Sequence, residues 1–270
     1  MACRSAYRLK ANENAQMIEN EIPKNKEMKI SQKVSRLLFG ADSKVPADDV
    51  LQNNLTEFEW VKRNKLYPVF FGRNIVGDDS LTKEEIDFLH EKGCKIVPIY
   101  RSSTQKKTDE QGMSEAEKIV SVASKLDIPH GTVIFFEFKD AEKVSRDFMR
   151  GYAKKLISKG YIPGFKANTD AKFSFDKEFS RGMQTNRRVF SECLIWAVSP
   201  SLEEYDRITT SHLIHPDEWK PFAPSGITRN EIAIWQYGKN CHPIYDDVGR
   251  ETTFNLNLVR NEAVIIEKMF

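Results

Sequence analysis

Eight short apolar runs punctuate the chain, each with polar or chemically capable residues at or just past its end. They occupy residues 36–43 (RLLFGADS), 68–75 (PVFFGRNI), 94–101 (CKIVPIYR), 132–140 (TVIFFEFKD), 161–168 (YIPGFKAN), 193–199 (CLIWAVS), 232–237 (IAIWQY) and 252–259 (TTFNLNLV). Runs of this length read as strands, and amphipathic helical stretches lie between the first six. Thr82 caps one helix, with Glu84 and Glu85 in its first turn and Gly93 as its stop. A second is predicted to start at Ser114, where Glu117 completes a capping box. A third covers 144–159, ended by Gly160, and a fourth 177–192. Beyond Pro200 the helical signal fades to one short helix over 201–207, and only loop separates the last two strands. Strands alternating with helices predict parallel pairing. Eight such strands predict an α/β fold, a (β/α)8-type TIM barrel with reduced helices between the last strands.

Chemistry in such a barrel gathers where the strands end. Asp42, Arg73, Tyr100, Glu137, Trp196 and Gln236 fall there. Asp42 follows LLFGA, so its carboxylate either projects into the barrel mouth or caps the next loop. In the fourth strand, alternation places Phe135, Glu137 and Lys139 on one face and Ile134, Phe136 and Phe138 on the other. The phenylalanines suit a helix shell, so Glu137 and Lys139 are expected to point inward. Lys139 is then either the ion-pair partner that an interior glutamate requires, or the neighbour of a tuned carboxyl that shares a site with Asp42. Glycoside hydrolysis uses such a pair. Asp140 is a reserve candidate. Arg73 and Tyr100 either hold a ligand's hydroxyl, N-acyl or carboxylate group, or orient the two acids. Trp196 and Trp235 either stack against sugar rings or fill core. Gln236 and Tyr237 add hydrogen-bonding groups at the rim, and the amides of Asn255 and Asn257 are expected to make specific hydrogen bonds.

A chain of 270 residues fits one barrel domain, and no linker divides it. The net charge of +2, with 30% charged residues, argues against a dedicated polyanion binder, so no nucleic-acid partner is expected. The N-terminus has basic residues but no apolar h-region, and no apolar run approaches the ~18 residues of a membrane helix. Neither a secretory signal nor membrane insertion is expected; the location would be cytoplasmic, or reached by a non-classical or phage-type export route. Cys3, Cys94, Cys193 and Cys241 are widely spaced and read as reduced thiols. The five histidines lack paired zinc spacing, and no glycine-rich phosphate loop is present, so no metal or cofactor is expected.

Taken in order, FGADS, FFGRNI followed by LTKEEIDFLHEKGCKIVPIY, KLDIPHGTVIFFEF, KGYIPGF, IWAVS, IAIWQY and FNLNL resemble a bacterial glycoside-hydrolase-like domain, domain of unknown function 1906. That family is itself similar to the family-25 lysozymes, irregular barrels that act on peptidoglycan. The resemblance runs from Leu37 to Val259 and implies a site with an Asp on strand one, two carboxylates on strand four and an acidic residue on the last strand. Asp42 matches the first. Glu137 takes the first of the strand-four places and Lys139 the second, while Asn255 stands where the relatives usually have Asp. The resemblance therefore implies a glycoside hydrolase acting on bacterial cell-wall glycan (peptidoglycan) or a related polysaccharide by paired-carboxylate chemistry. The alternative is a non-catalytic carbohydrate-binding or scaffold protein on a degenerate barrel, which Lys139 and Asn255 favour. Under both readings the partner is a glycan or oligosaccharide.

Residues 1–30 are rich in Asn, Glu and Lys and offer few apolar groups at any period, so they read as a flexible or loosely docked extension to a barrel spanning 31–270. Deleting residues 1–30 should leave a soluble protein with a cooperative thermal transition. Loss of folded protein on deletion would instead mean that the segment packs on the barrel.

Overall fold

The computed structural model describes residues 37–103, 106–139, 143–202, 207–208, 216, 218–243, 248 and 252–270. Strands form at all eight predicted runs. They are β1 (Leu37–Ser43), β2 (Phe70–Asn74), β3 (Lys95–Tyr100), β4 (Val133–Glu137), β5 (Ile162–Asn168), β6 (Leu194–Leu202), β8 (Ile232–Pro243) and β9 (Phe254–Arg260); a two-residue strand, β7 (Arg207–Ile208), joins the edge of β8. Neighbours from β1 to β6 pair in parallel, and β6 pairs in parallel with β8. β9 then closes the ring between β8 and β1, antiparallel to both. The product is a closed eight-stranded mixed barrel with helices between strands. The reversed β9 corrects the all-parallel expectation. Only residues 244–253 link β8 to β9, too few for the crossover of a dozen or more residues that a parallel pair needs.

Capping chemistry sets the helix boundaries. Helix α1 (Glu57–Arg63) begins at a capping box of Thr56 and Glu59, and α2 (Lys83–Glu91) at Thr82 as its sequence predicts. Helix α3 (Asp109–Lys125) begins earlier than Ser114, because Thr108 and Gln111 already form a capping box. Ser145 caps α4 (Arg146–Ser158). The helix expected over 177–192 is two: α5 (Ser174–Thr185) stops at Asn186, whose φ of −141° leaves the helical region, and α6 (Arg187–Phe190) follows. Of the short helix expected over 201–207, Ser201 and Leu202 instead finish β6, and 203–206 lie outside the described residues.

Two apolar layers share each strand. Phe70, Val97, Ile99, Val133, Phe135, Trp196, Ile234 and Val259 fill the barrel interior. Phe71, Ile96, Tyr100, Ile134, Phe136, Phe165, Trp235 and Tyr237 face the helices. Large interior rings fit because glycines make room for them. A Cβ at Gly40 would lie 2.1 Å from the Phe70 ring; one at Gly72 would lie 2.7 Å from the Asp42 Cβ and 2.8 Å from Trp196. Apolar packing thus fills the barrel up to Trp196 and leaves polar inward positions only at the strand ends.

An ionic strut braces the outer side of β1. Arg73 is fully buried on the helix side of β2, and its Nε donates to Glu85 Oε1 at 2.6 Å. Its Nη1 donates to the carbonyls of Ser43 (2.8 Å) and Lys44 (3.0 Å), and its Nη2 to that of Asp79 (2.7 Å). The Ala47 amide donates to the same Glu85 oxygen at 2.7 Å. The loop after Asp42 is thereby fixed to the first turn of α2. Glu57 of α1 is buried beside this strut. Burial pushes its carboxyl up to about 8, against the opposing pull of the Ser43 hydroxyl and the Arg73 charge. A carboxyl whose pKa rises on folding keeps its proton in the native state while the unfolded chain loses it. Stability therefore falls as pH climbs from about 4.5 towards about 8. Replacing Glu57 with Gln should remove part of that slope and stabilise the protein at pH 8 by a few kcal/mol relative to wild type, with little change at pH ~4.5. Urea unfolding at the two pH values measures this; an equal effect at both would contradict the assignment.

Candidate functional site

The inward polar positions converge at the C-terminal ends of the parallel strands, around a cavity of about 600 Å³. Lys166 is part of its wall. Strand β5 alternates so that Phe165 and Ala167 face the helix layer while Lys166 faces inward, only 2% exposed. Its Nζ donates to both Asp42 oxygens at 2.8 Å, and Glu137 Oε1 is 3.7 Å away. The same ammonium stands 4.3 Å from the centre of the Trp196 ring. Glu137 is next to Lys166 in the β4–β5 register, and its other oxygen pairs with the Arg101 guanidinium.

Asp42 is saturated. Besides the two bonds from Lys166 it accepts from Asn255 Nδ2 (2.6 Å) and Asn257 Nδ2 (3.3 Å). Both asparagines project inward from β9, where Asn255 is the register partner of Asp42. Each is itself held in place. Asn257 Oδ1 accepts from Trp196 Nε1 at 3.0 Å, and Asn255 Oδ1 accepts the Asn240 amide at 2.8 Å. Asn240 lies where the β8–β9 register slips between Gly238 and Cys241, with a φ of 49°. Such a bulge re-aims neighbouring side chains, and both Lys239 and Asn240 line the cavity. An aspartate at 255 could not donate to Asp42 and would add a third carboxylate beside it.

The charges around Glu137 settle its protonation. Burial works against its ionisation, but Lys166 and Arg101, with Lys239 beyond them, outweigh that effect and hold the carboxyl below its ordinary value. Through Nζ of Lys166 the nearest Asp42 and Glu137 oxygens are at most about 6.5 Å apart. The two acids therefore share one end of the barrel, joined by a cation. Among the described residues, no group of three or more His, Cys, Asp or Glu side chains is arranged to hold a metal ion. No described helix is long and apolar enough to cross a membrane.

The structure brings together Asp42, Glu137, Lys139, Gln236 and Asn255 on the cavity wall, with Asn257 and Trp196 directly behind. Other expectations need correction. Lys139 lies past the end of β4 and is exposed on the cavity rim, so the ion-pair partners of Glu137 are Lys166 and Arg101 instead. Tyr100 and Arg73 point to the helix layer: Tyr100 donates to Glu115, and Arg73 is committed to Glu85 and the loop after β1. Trp196 is fully buried beneath Lys166, and Trp235 faces outward with its Nε1 on the Ser199 carbonyl (3.0 Å), so the two do not form a common wall. Tyr237 is buried beside Trp235 in the outer layer. Asp140 lies outside the described residues. Lys166 and Arg101 are the residues that sequence reasoning missed.

A family profile described as Rv2525c-like, glycoside hydrolase-like domain matches residues 71–253. Among solved structures, an uncharacterized B. stearothermophilus protein is similar at 23% identity and a TM-score of 0.69, covering 86% of this chain and 100% of that one. The catalytic domain of endolysin ply40 from bacteriophage P40 of Listeria monocytogenes is similar at 13% identity and a TM-score of 0.50, covering 86% and 97%. Both likenesses concern the fold. Comparison with curated proteins gives no match.

Replacing Lys166 with Met should leave Asp42 and Glu137 buried without their shared cation, at a cost of roughly 3–5 kcal/mol near neutral pH. In the wild type, Glu137 adds stability above its unfolded pKa and loses it as the pH falls, because its pKa is lowered on folding. Without Lys166 that gain shrinks, so the deficit of the variant should narrow as the pH approaches ~4. Denaturant unfolding at the two pH values is the check, and a deficit that does not change with pH would refute it.

Proposed function

The chain belongs to the Rv2525c-like, glycoside hydrolase-like family, and from that premise and the site geometry we propose that it binds a saccharide in the barrel mouth without hydrolysing it. One observation carries this reading: the Lys166 ammonium stands between Asp42 and Glu137 and pairs with both. A glycosidase of the paired-carboxylate type needs one carboxyl that keeps its proton at working pH, and environments that push the two acids apart in pKa. Here Glu137 is held ionised, the wrong state for a general acid. Asp42 is fully engaged by Lys166 and two amides, which leaves no lone pair directed at an anomeric carbon or an attacking water. The groups that remain to meet a ligand are amides and cations, suited to hydroxyls and polar substituents. Bacterial cell-wall glycan is the polymer that the resemblance to family-25 lysozymes points to.

Hydrolysis is the second reading, favoured by the placing of Asp42 and Glu137 at one end of the barrel with their nearest oxygens no more than about 6.5 Å apart, since paired glycosidase carboxylates must flank one bond. The two readings separate in one assay. Wild type and Glu137→Gln are incubated with purified peptidoglycan across pH ~4 to ~8, and released reducing ends are counted. The binding reading expects no turnover by either protein, with co-sedimentation of both with the insoluble glycan. Turnover by wild type that Glu137→Gln abolishes would establish the hydrolase instead.

A further inference from the structure

We propose that Gln236 determines specificity in this cavity by accepting a hydrogen bond from an O–H or an acetamido N–H of the bound saccharide; this rests on the saccharide-binding reading above. The strand sets its position. Trp235 and Tyr237 of β8 face the helix layer, so Gln236 alternates inward, one layer nearer the mouth than Ile234 of the barrel interior. Gln236 lines the cavity and is 2% exposed. Its side-chain Oε1 is buried, and no described group of the protein donates to it.

The neighbours in the sheet do not supply the missing hydrogen. Gln236 stands in register with Val198 of β6 and Asn257 of β9. Valine has no side-chain donor. Asn257 Nδ2 directs its two hydrogens at Asp42 Oδ1 and the Asn255 carbonyl, each at 3.3 Å. One layer below, Trp196 Nε1 donates to Asn257 Oδ1 at 3.0 Å, and the Lys166 ammonium is turned to Asp42. Buried acceptors are nearly always paired, and an orphan costs free energy that an apolar residue of the same size would not. The fold therefore holds at the cavity wall an acceptor that its own network leaves unused. A donor group on an entering sugar completes it. A fixed, buried acceptor of this kind also discriminates: a ligand without the matching donor leaves the oxygen unpaired and is rejected more strongly than shape alone would reject it.

The test is isothermal titration of the full chain, wild type and Gln236→Met, with chitotriose and with cellotriose. Co-sedimentation with purified peptidoglycan gives the same comparison for the polymer. Methionine is close to glutamine in size and removes the oxygen. We expect the substitution to weaken saccharide binding by about tenfold or more, because the ligand's donor is then buried without a partner. A loss with chitotriose alone assigns the donor to the acetamido N–H, and a loss with cellotriose assigns it to a hydroxyl. In the free protein the substitution deletes an unpaired acceptor, so the urea midpoint should stay level or rise. Unchanged affinity in the variant would overturn the inference and leave saccharide binding standing. A free variant that is destabilised would overturn it as well, since the Gln236 amide would then serve the fold. If wild type takes up neither trisaccharide and does not sediment with peptidoglycan, the saccharide-binding reading falls and this inference falls with it.

Discussion

The placement of one ammonium group inside the barrel organises everything around it. Lys166 has lost nearly all its water, and a buried cation is tolerated only with close, well-directed counter-charges. Asp42 supplies two of its contacts, Glu137 a third at longer range, and the face of Trp196 completes the shell. These groups come from β1, β4, β5 and β6, so the interaction holds the upper end of the barrel together across its diameter. The apolar interior below contributes by default: once Phe70, Phe135 and Trp196 fill the lower layers, a charged side chain has only the mouth to occupy. Glycine at 72 is part of the same constraint, because any side chain there would displace both Asp42 and the ring that supports Lys166.

Around that centre, asparagines perform the work that further carboxylates would undo. Asp42 offers only acceptors, so each neighbour on β9 must donate, and the amides of Asn255 and Asn257 do so while passing an acceptor on to the next partner. The chain Trp196–Asn257–Asp42–Asn255–Asn240 links the barrel floor to the β8 bulge through hydrogen bonds alone. On the opposite side of β1, Arg73 pins the carbonyls that immediately follow Asp42. The aspartate is thus fixed from inside by Lys166 and from outside through its own backbone. Such rigidity suits a recognition site whose polar groups are preorganised; it does not suit an acid that must exchange a proton and change partners during a reaction.

The sequence made the strands legible and left their facing ambiguous. In a barrel with helices outside, both faces of every strand are apolar, so alternation is visible but its phase is not. Strand four was readable because Phe136 and Phe138 flank Glu137. Strand three was not: Ile96, Pro98 and Tyr100 share one face and Val97, Ile99 and Arg101 the other, and nothing local says that Arg101 is the inward residue. The same half-turn separates outward Arg73 from inward Gly72, and outward Trp235 from inward Gln236. Lys166 carried a usable signal, a lysine in the middle of the apolar run YIPGFKAN, two residues beyond a glycine. Lysine at such a position is expensive unless paired, and that cost, more than any motif, marks it as part of the site. Reversal of β9 was likewise implicit in the short link from β8, which cannot hold a crossover helix.

Lys166 and Asn255 act on the same carboxylate, Asp42. A lone cation at 166 would lower the pKa of any carboxyl near it; a lone asparagine at 255 would merely remove an acid. Together they set a cation and an amide beside Asp42, and the Lys166 charge helps to hold the Glu137 carboxyl below its ordinary value. Paired-carboxylate glycosidases draw a general acid from two environments that push the acids apart in pKa, and a cation shared by Asp42 and Glu137 works against such a separation.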